Sequence, residues 1–327
     1  MKDRFFHLTM TAATLAILAA TLYGLHARQV VVGVRQFFPI LGVLAFLLAG
    51  AAFYGWRRAD KLYNVFLMTF WAALFSNLHL LPMCVAARSD VEMRDGVLAG
   101  FDRALGVEVP DILRALEGMP VLRGSLSFCY GTLILLMTLA VILPPLLDRM
   151  SAAKEYAIGC VAAAVLGILI FNSFQAVGPW AYYDYPPTAE QANYTRVFGE
   201  HKDAGWYAFD AGYRDGLITF PSFHAILAAL AAVALWPVRH LRWPAAALGA
   251  LIVVSTVTTG WHYVGDVLAG LAVVVVSVAV AKAYTRLERK FARANAAGAV
   301  AAAREPAIER LGVEAEAGER PEAVLVP

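Results

Sequence analysis

Charge is what this sequence has least of. Only 16% of its 327 residues are Asp, Glu, Lys or Arg, and the formal net charge is +2. So small a balance makes no electrostatic case for nucleic acid, and no run of basic residues interleaved with aromatics precedes the C-terminal end. Nucleic-acid partners are therefore excluded. Cysteine is also scarce, and Cys84, Cys129 and Cys160 all fall within apolar stretches. That placement favours small buried residues over a disulfide framework or a zinc site. The sequence has no internal repeat and no second soluble domain.

Apolar residues fill the space that charge leaves. They make up 60% of the chain and are gathered in runs near bilayer-spanning length, so the sequence reads as an integral membrane protein. The runs cover about Leu8–Leu25, Phe37–Trp56, Leu62–Ala87, Gly124–Leu147, Tyr156–Val177, Ser222–Trp236, Trp243–Thr259 and His262–Tyr284. The first is expected to be a retained span, because Leu25 and Ala27 make a poor small-x-small cleavage site. The fold class that follows is all-α, a polytopic membrane helix bundle of about eight transmembrane helices. Residues 1–291 are expected to form the membrane domain. Residues 292–327, rich in Ala and Glu, form a tail that cannot bury a core and is expected to be disordered or loosely helical.

Two interruptions stand out. Residues 89–123 alternate charges and include Asp111-Ile112-Leu113-Arg114-Ala115-Leu116, which reads as a short amphipathic helix on the membrane surface. Residues 178–220 are dense in Trp and Tyr, the composition of a lipid interface. Placing the basic ends inside puts Lys2, Arg4, Arg57, Arg58, Lys61, Arg149, Lys154, Arg239, Arg242 and the basic residues from Lys282 to Arg293 on the cytoplasmic side. The start of the sixth run and the junction of the seventh and eighth then emerge together on the non-cytoplasmic side.

At those two points lie polar islands, Phe220-Pro221-Ser222-Phe223-His224 and Ser255 to Asp266. Pro221 and Ser222 read as a helix start, with Ser222 at the N-cap and His224 in the first turn beside unpaired N–H groups able to hold an anion. His262 and Asp266 are spaced to share a face if 261–271 is helical. A carboxylate there fixes the imidazole tautomer and raises its basicity, as a nucleophilic or general-base histidine requires. Taken singly, a histidine at a helix end is more often an interfacial polar residue. Asp266 differs, because an unpaired carboxylate at mid-bilayer costs roughly 2.5–3.5 kcal/mol on insertion scales and so is expected to have a partner. Asn77, His79, Asn172 and Gln175 read most simply as interhelical hydrogen-bonding groups.

Pro221-Ser222-Phe223-His224 resembles the Pro-Ser-Gly-His motif of the type-2 phosphatidic acid phosphatase superfamily, and Ser255 to Asp266 has the spacing of its Ser-Arg-x5-His-x3-Asp motif. Thr259 to Gly270, together with Phe101 to Gly106 and Ala176 to Pro179, is similar to the inositol phosphorylceramide synthase-like branch, which belongs to sphingolipid metabolism. The resemblance implies a six-helix phosphatase-like core and a membrane phosphatase or phosphotransferase. His262 would be the nucleophile forming a phosphohistidine, Asp266 its orienting carboxylate and His224 the general acid and base. Ser222 and Phe223 would stand in the substrate-binding turn. It also implies a lipid phosphate or phospholipid donor, a possible lipid alcohol acceptor, no metal or other cofactor, and a bacterial-type inner membrane with the site on the non-cytoplasmic face. The sequence departs from the pattern at Thr256, where the family has Arg, at Phe223, where it has Gly, and in lacking the Lys-x6-Arg-Pro motif. Arg214 is the first candidate to supply the missing positive charge, with Lys202 and Arg196 behind it.

Other readings stay open at this stage. Water in place of an alcohol makes the protein a lipid or polyprenyl phosphate hydrolase. The two histidines and Asp266 are also of the right types for a divalent-metal triad. A non-catalytic transporter or scaffold would use the same polar residues for pairing between helices.

Overall fold

The computed structural model describes residues 4–203, 205–210 and 216–318. They divide into two compact units, Met1–Lys282 and Ala283–Pro327. In the second, the backbone is helical as far as Gly318. Everything below concerns the first.

Apolar runs in lipid must satisfy their backbone groups internally, and helices form wherever the sequence has such a run. In chain order the elements are α1 (Arg4–Ala27), β1 (Val30–Val32), α2 (Phe38–Trp56), α3 (Asp60–Leu78), α4 (Leu80–Ala87), α5 (Asp95–Ala104), α6 (Val109–Glu117), α7 (Pro120–Gly131) and α8 (Leu133–Leu146). They continue as α9 (Met150–Ser173), α10 (Pro179–Tyr182), α11 (Ala189–Lys202), β2 (Tyr207–Phe209), α12 (Phe223–Leu235), α13 (Arg242–Thr258) and α14 (Val264–Gly318). Five helical segments are long and apolar enough to cross a membrane, Arg4–Ala27, Val34–Trp56, Asp60–Ala87, Met150–Ser173 and Val264–Asn295. The pair α7 and α8 makes a sixth if it counts as one span, and α12 and α13 are shorter apolar helices. Together these occupy the eight expected positions.

The fourth expected span is not straight. Its halves meet at 41°, and at the break the Thr132 hydroxyl donates to the Cys129 carbonyl at 2.6 Å. Side-chain competition for a backbone acceptor next to a glycine is a recognised cause of such a kink. Past the bend α7 packs along α13, and its last turn lays Tyr130 on His224 of α12, which matters for the site.

The core of the unit lies among α8, α9, α12, α13 and the start of α14, where Leu136, Ala140, Ala163, Ile226, Leu230, Ile252 and Val273 pack together. At one end of the bundle the loops after α1 and α11 pair as a two-stranded parallel sheet, with Val30 opposite Tyr207 and Val32 opposite Phe209. Three-residue strands donated by loops far apart in sequence offer no period to read, so the sequence shows only helices there. At another point the start of α3 and the loop after α8 meet through Lys61 Nζ and Asp148, 2.7 Å apart. Both segments were assigned to one side on charge alone.

Candidate active site

Helix α12 starts as its residue types dictate. Ser222 is the N-cap, its side chain accepting from Ala225 N at 3.4 Å, and the Phe220–Pro221 bond preceding it is cis. His224 is thereby the second residue of the helix. Its ring stacks on Tyr130 of α7, with centroids 4.6 Å apart and planes within 10°. The neighbouring Phe223 ring lies on His79, centroids 4.9 Å apart, and fills the space beside Gly167.

The second island ends α13 and begins α14. Gly260 follows the helix C-cap with φ of 78°, a left-handed conformation suited to glycine. Its carbonyl accepts from Tyr185 Oη at 2.9 Å and from Gln191 Nε2 at 3.2 Å. Helix α14 begins only at Val264, so His262 precedes it instead of lying on its face. The expected contact forms by another route. Asp266 folds back over the first turn, and its Oδ2 accepts from Tyr263 N at 2.9 Å and from His262 Nδ1 at 3.2 Å. With the carboxylate as acceptor, this contact favours the tautomer protonated on Nδ1. The ring also meets the Thr219 main chain.

Asp266 joins the two islands, since its carbonyl accepts from Ser222 N at 3.0 Å. The helices approach so closely there that a Cβ on Gly270 would stand 2.8 Å from the Ser222 carbonyl oxygen, which is why a glycine lies one turn beyond Asp266. The result is that the His224 and His262 rings lie side by side on the cavity wall, centroids 6.4 Å apart and planes inclined at 52°.

Two aspartates on α5 hold this arrangement from behind. Asp102 is fully buried and receives Val264 N at 2.8 Å and Gly265 N at 2.9 Å. It thus caps α14 from another helix, where a carboxylate also favours the helix dipole. Burial pushes its carboxyl above the ordinary carboxylate value against the pull of the two N–H donors. Asp95 accepts from Val177 N at 3.0 Å, Gly178 N at 2.8 Å and Tyr263 Oη at 3.1 Å, tying the Val177-Gly178-Pro179 turn to the residue after His262. Its carboxyl too is raised by burial. Neither role was legible in the sequence. The i to i+4 spacing of His262 and Asp266 was visible, but nothing in the spacing of α5 announces a cap for a helix 160 residues away.

His224, His262, Tyr130, Thr219 and Trp261 open on a cavity of 1340 Å³. Ser222 does not; it is buried as the helix cap. Phe223 does reach the wall. Thr256, standing where a cation was expected, is buried with its hydroxyl turned to the Val253 carbonyl at 2.7 Å. Lys202 is bound to the Ser89 carbonyl at 2.6 Å and to Gln175 Oε1, and Arg196 to Glu200 and Asn193. Both are engaged in supporting the loops. Arg214 lies outside the described residues. Among the described residues, the cations on the cavity wall are Arg114 and Arg123. Arg114 pairs with Asp111 at 3.0 Å. Arg123 shares a face of α7 with Ser127 and Tyr130, all three on the cavity wall, and its guanidinium has no partner among the described residues. Among those residues, no three His, Cys, Asp or Glu side chains are grouped to hold a metal ion.

This constellation of two neighbouring histidines, one tied to a buried aspartate, coincides with a family match. Residues 97–280, more than half of the chain, match the model of the PAP2 superfamily. The chain belongs to the PAP2 superfamily. It is a membrane-embedded helical protein of the phosphatase class, and PAP2 phosphatases act on phosphorylated lipids in membranes. No curated protein and no solved structure matches the chain. The matched span holds both islands and Asp95's partners Val177, Gly178 and Tyr263, while α1 to α4 precede it.

Proposed function

We propose that this PAP2 protein is a lipid phosphotransferase or phosphatase working through a phosphohistidine, related in chemistry to the inositol phosphorylceramide synthase-like branch. The observation that carries the reading is the pair of neighbouring imidazoles on the wall of a large cavity, one oriented by a buried carboxylate. In the first step the lone pair on His262 Nε2 forms a P–N bond as the ester P–O bond breaks, and the departing oxygen takes a proton from His224. Asp266 stabilises the resulting charge on the His262 ring. In the second step His224 removes a proton from water or a lipid alcohol, whose oxygen attacks phosphorus as the P–N bond breaks. Phe223 shapes the wall, and Ser222 holds the turn that presents His224. Residues 1–291 form the working domain, with 292–327 as a tail outside it. The site opens on the non-cytoplasmic face of a bacterial-type inner membrane, the side favoured by the charge of the loops.

In place of the family's missing cations, Arg123 meets the phosphate oxygens. Arg123 stands two turns before Tyr130 on the same face of α7, on the cavity wall that His224 shares. Arg123→Ala is expected to raise KM by roughly 10- to 100-fold, the worth of one charge-assisted hydrogen bond, and Arg123→Lys to restore part of it. Steady-state kinetics on a lipid phosphate check this.

The acceptor is decided by product analysis. Purified protein in detergent is given lipid phosphates and phospholipid donors with and without a lipid alcohol. Phosphate release supports hydrolysis, a new phospholipid supports transfer, and neither product from any donor would sink the enzymatic reading in favour of a transporter or scaffold. Activity is expected to survive a strong chelator; its loss, with recovery on adding a divalent cation, would favour the metal triad instead.

A further inference from the structure

The cavity does not end at the histidines. On α3 its wall includes Met68, Trp71, Ala72, Phe75 and Ser76, followed by His79 at the joint with α4, in one stripe. His79 is at the level of the site, because it stacks on Phe223 next to His224. From His79 to Met68 the stripe descends about 16 Å, roughly half of the ~30 Å hydrocarbon core, which is the depth of one leaflet. Helix α9 runs the same way: Gly167 touches Phe223 at the top, and Ala164, Cys160, Ala157 and Tyr156 follow downward on the wall. Met10 of α1 and Met137 and Val141 of α8 complete an apolar limb. The whole volume of 1340 Å³ exceeds the ~300–1,000 Å³ of ordinary small-molecule pockets.

We propose that this limb receives a hydrocarbon chain of the lipid substrate, and that α1 and α3, which lie outside the family-matched residues 97–280, set the chain length accepted. The inference rests on the lipid-phosphate reading of the site and adds a subsite to it. The occupant is a chain, and not a soluble headgroup, because the limb is walled by Met, Trp, Phe and Ala and runs along the bundle from the point where phosphorus would sit. Three methionines, Met10, Met68 and Met137, give a soft wall that adapts to a flexible ligand.

Depth along α9 supplies a graded test. Ala157→Phe blocks the bottom of the limb and Ala164→Phe a level about 10 Å higher. Each variant and the wild type are assayed in detergent for turnover of octanoyl, lauroyl and palmitoyl lysophosphatidate, and for retention of each lipid by native mass spectrometry. Ala157→Phe is expected to lower kcat/KM for the palmitoyl lipid at least ~10-fold while leaving the octanoyl lipid within about twofold; Ala164→Phe, one turn below Gly167, is expected to penalise the lauroyl and octanoyl lipids as well. Preserved turnover of the octanoyl lipid shows that Ala157→Phe folds. Equal losses at all chain lengths in Ala157→Phe, or no loss at any in either variant, would overturn the chain site. Wild-type protein that retains the palmitoyl lipid more than the octanoyl one, with Ala157→Phe abolishing the difference, but turns over neither, would support the chain site and overturn the chemistry assigned above it.

Discussion

Replacing His262 with Ala is expected to lower turnover of a phosphate ester by about 10⁴-fold or more and to abolish any covalent phosphoryl-protein. Members of a nucleophile–base set act as a unit, so removing the nucleophile removes nearly all that the set contributes. His262 is the member held by a carboxylate: its Nδ1 lies 3.2 Å from Asp266 Oδ2, and the residue is on the cavity wall. Acid-labile radiolabel trapped on wild-type protein by rapid quench, and missing from His262→Ala, is the direct measurement. Label that persists in the variant would remove His262 from the nucleophile's role. His224→Ala gives a different signature. Without the acid that protonates the leaving oxygen, turnover of an alkyl phosphate should fall far more than that of p-nitrophenyl phosphate, whose leaving group needs little protonation. Equal losses on both would mean that His224 acts by packing on Tyr130 and not by proton transfer.

Asp102→Ala is expected to cost about 3 kcal/mol of stability and, in protein that still folds, to lower kcat by roughly 100-fold with a smaller change in KM. The first effect follows from leaving Val264 N and Gly265 N buried without acceptors, each worth about 1–3 kcal/mol. The second follows because those N–H groups begin the helix that carries Asp266, and a displacement of about 1 Å in a catalytic set can cost a factor of 10². Asp102→Asn keeps a side-chain oxygen and should recover most of the stability but less of the rate. Thermal unfolding and steady-state kinetics on the pair separate the two effects. If both variants lose stability while kcat stays at the wild-type value, Asp102 serves the fold alone.

The sequence by itself determined that the chain enters a membrane, because long apolar runs have no other stable solution than helices in lipid, and the eight runs coincide with the helices found. It also placed the polar groups of the two islands, for Ser222 is a helix cap by residue type and His262 stands four residues before Asp266. Local rules suffice where partners are near in sequence. They fail where the partner is remote. The strand pairing of Val30 with Tyr207, the capping of α14 by Asp102 and the engagement of Lys202 by Ser89 and Gln175 join segments scores of residues apart, and no periodicity encodes them. Even the His262–Asp266 contact, expected on a helix face, arises from a side chain folding back over a helix start that comes two residues later than His262. The positive charge near the site shows the same division. Sequence order drew attention to cations in the loop before His224, whereas the bend at Thr132 carries α7 to His224 and brings Arg123 to the cavity wall. Which polar residues exist was fixed by the chain, and which of them meet was decided by packing, because a kink of 41° is set by tertiary contacts as much as by the residues at the break.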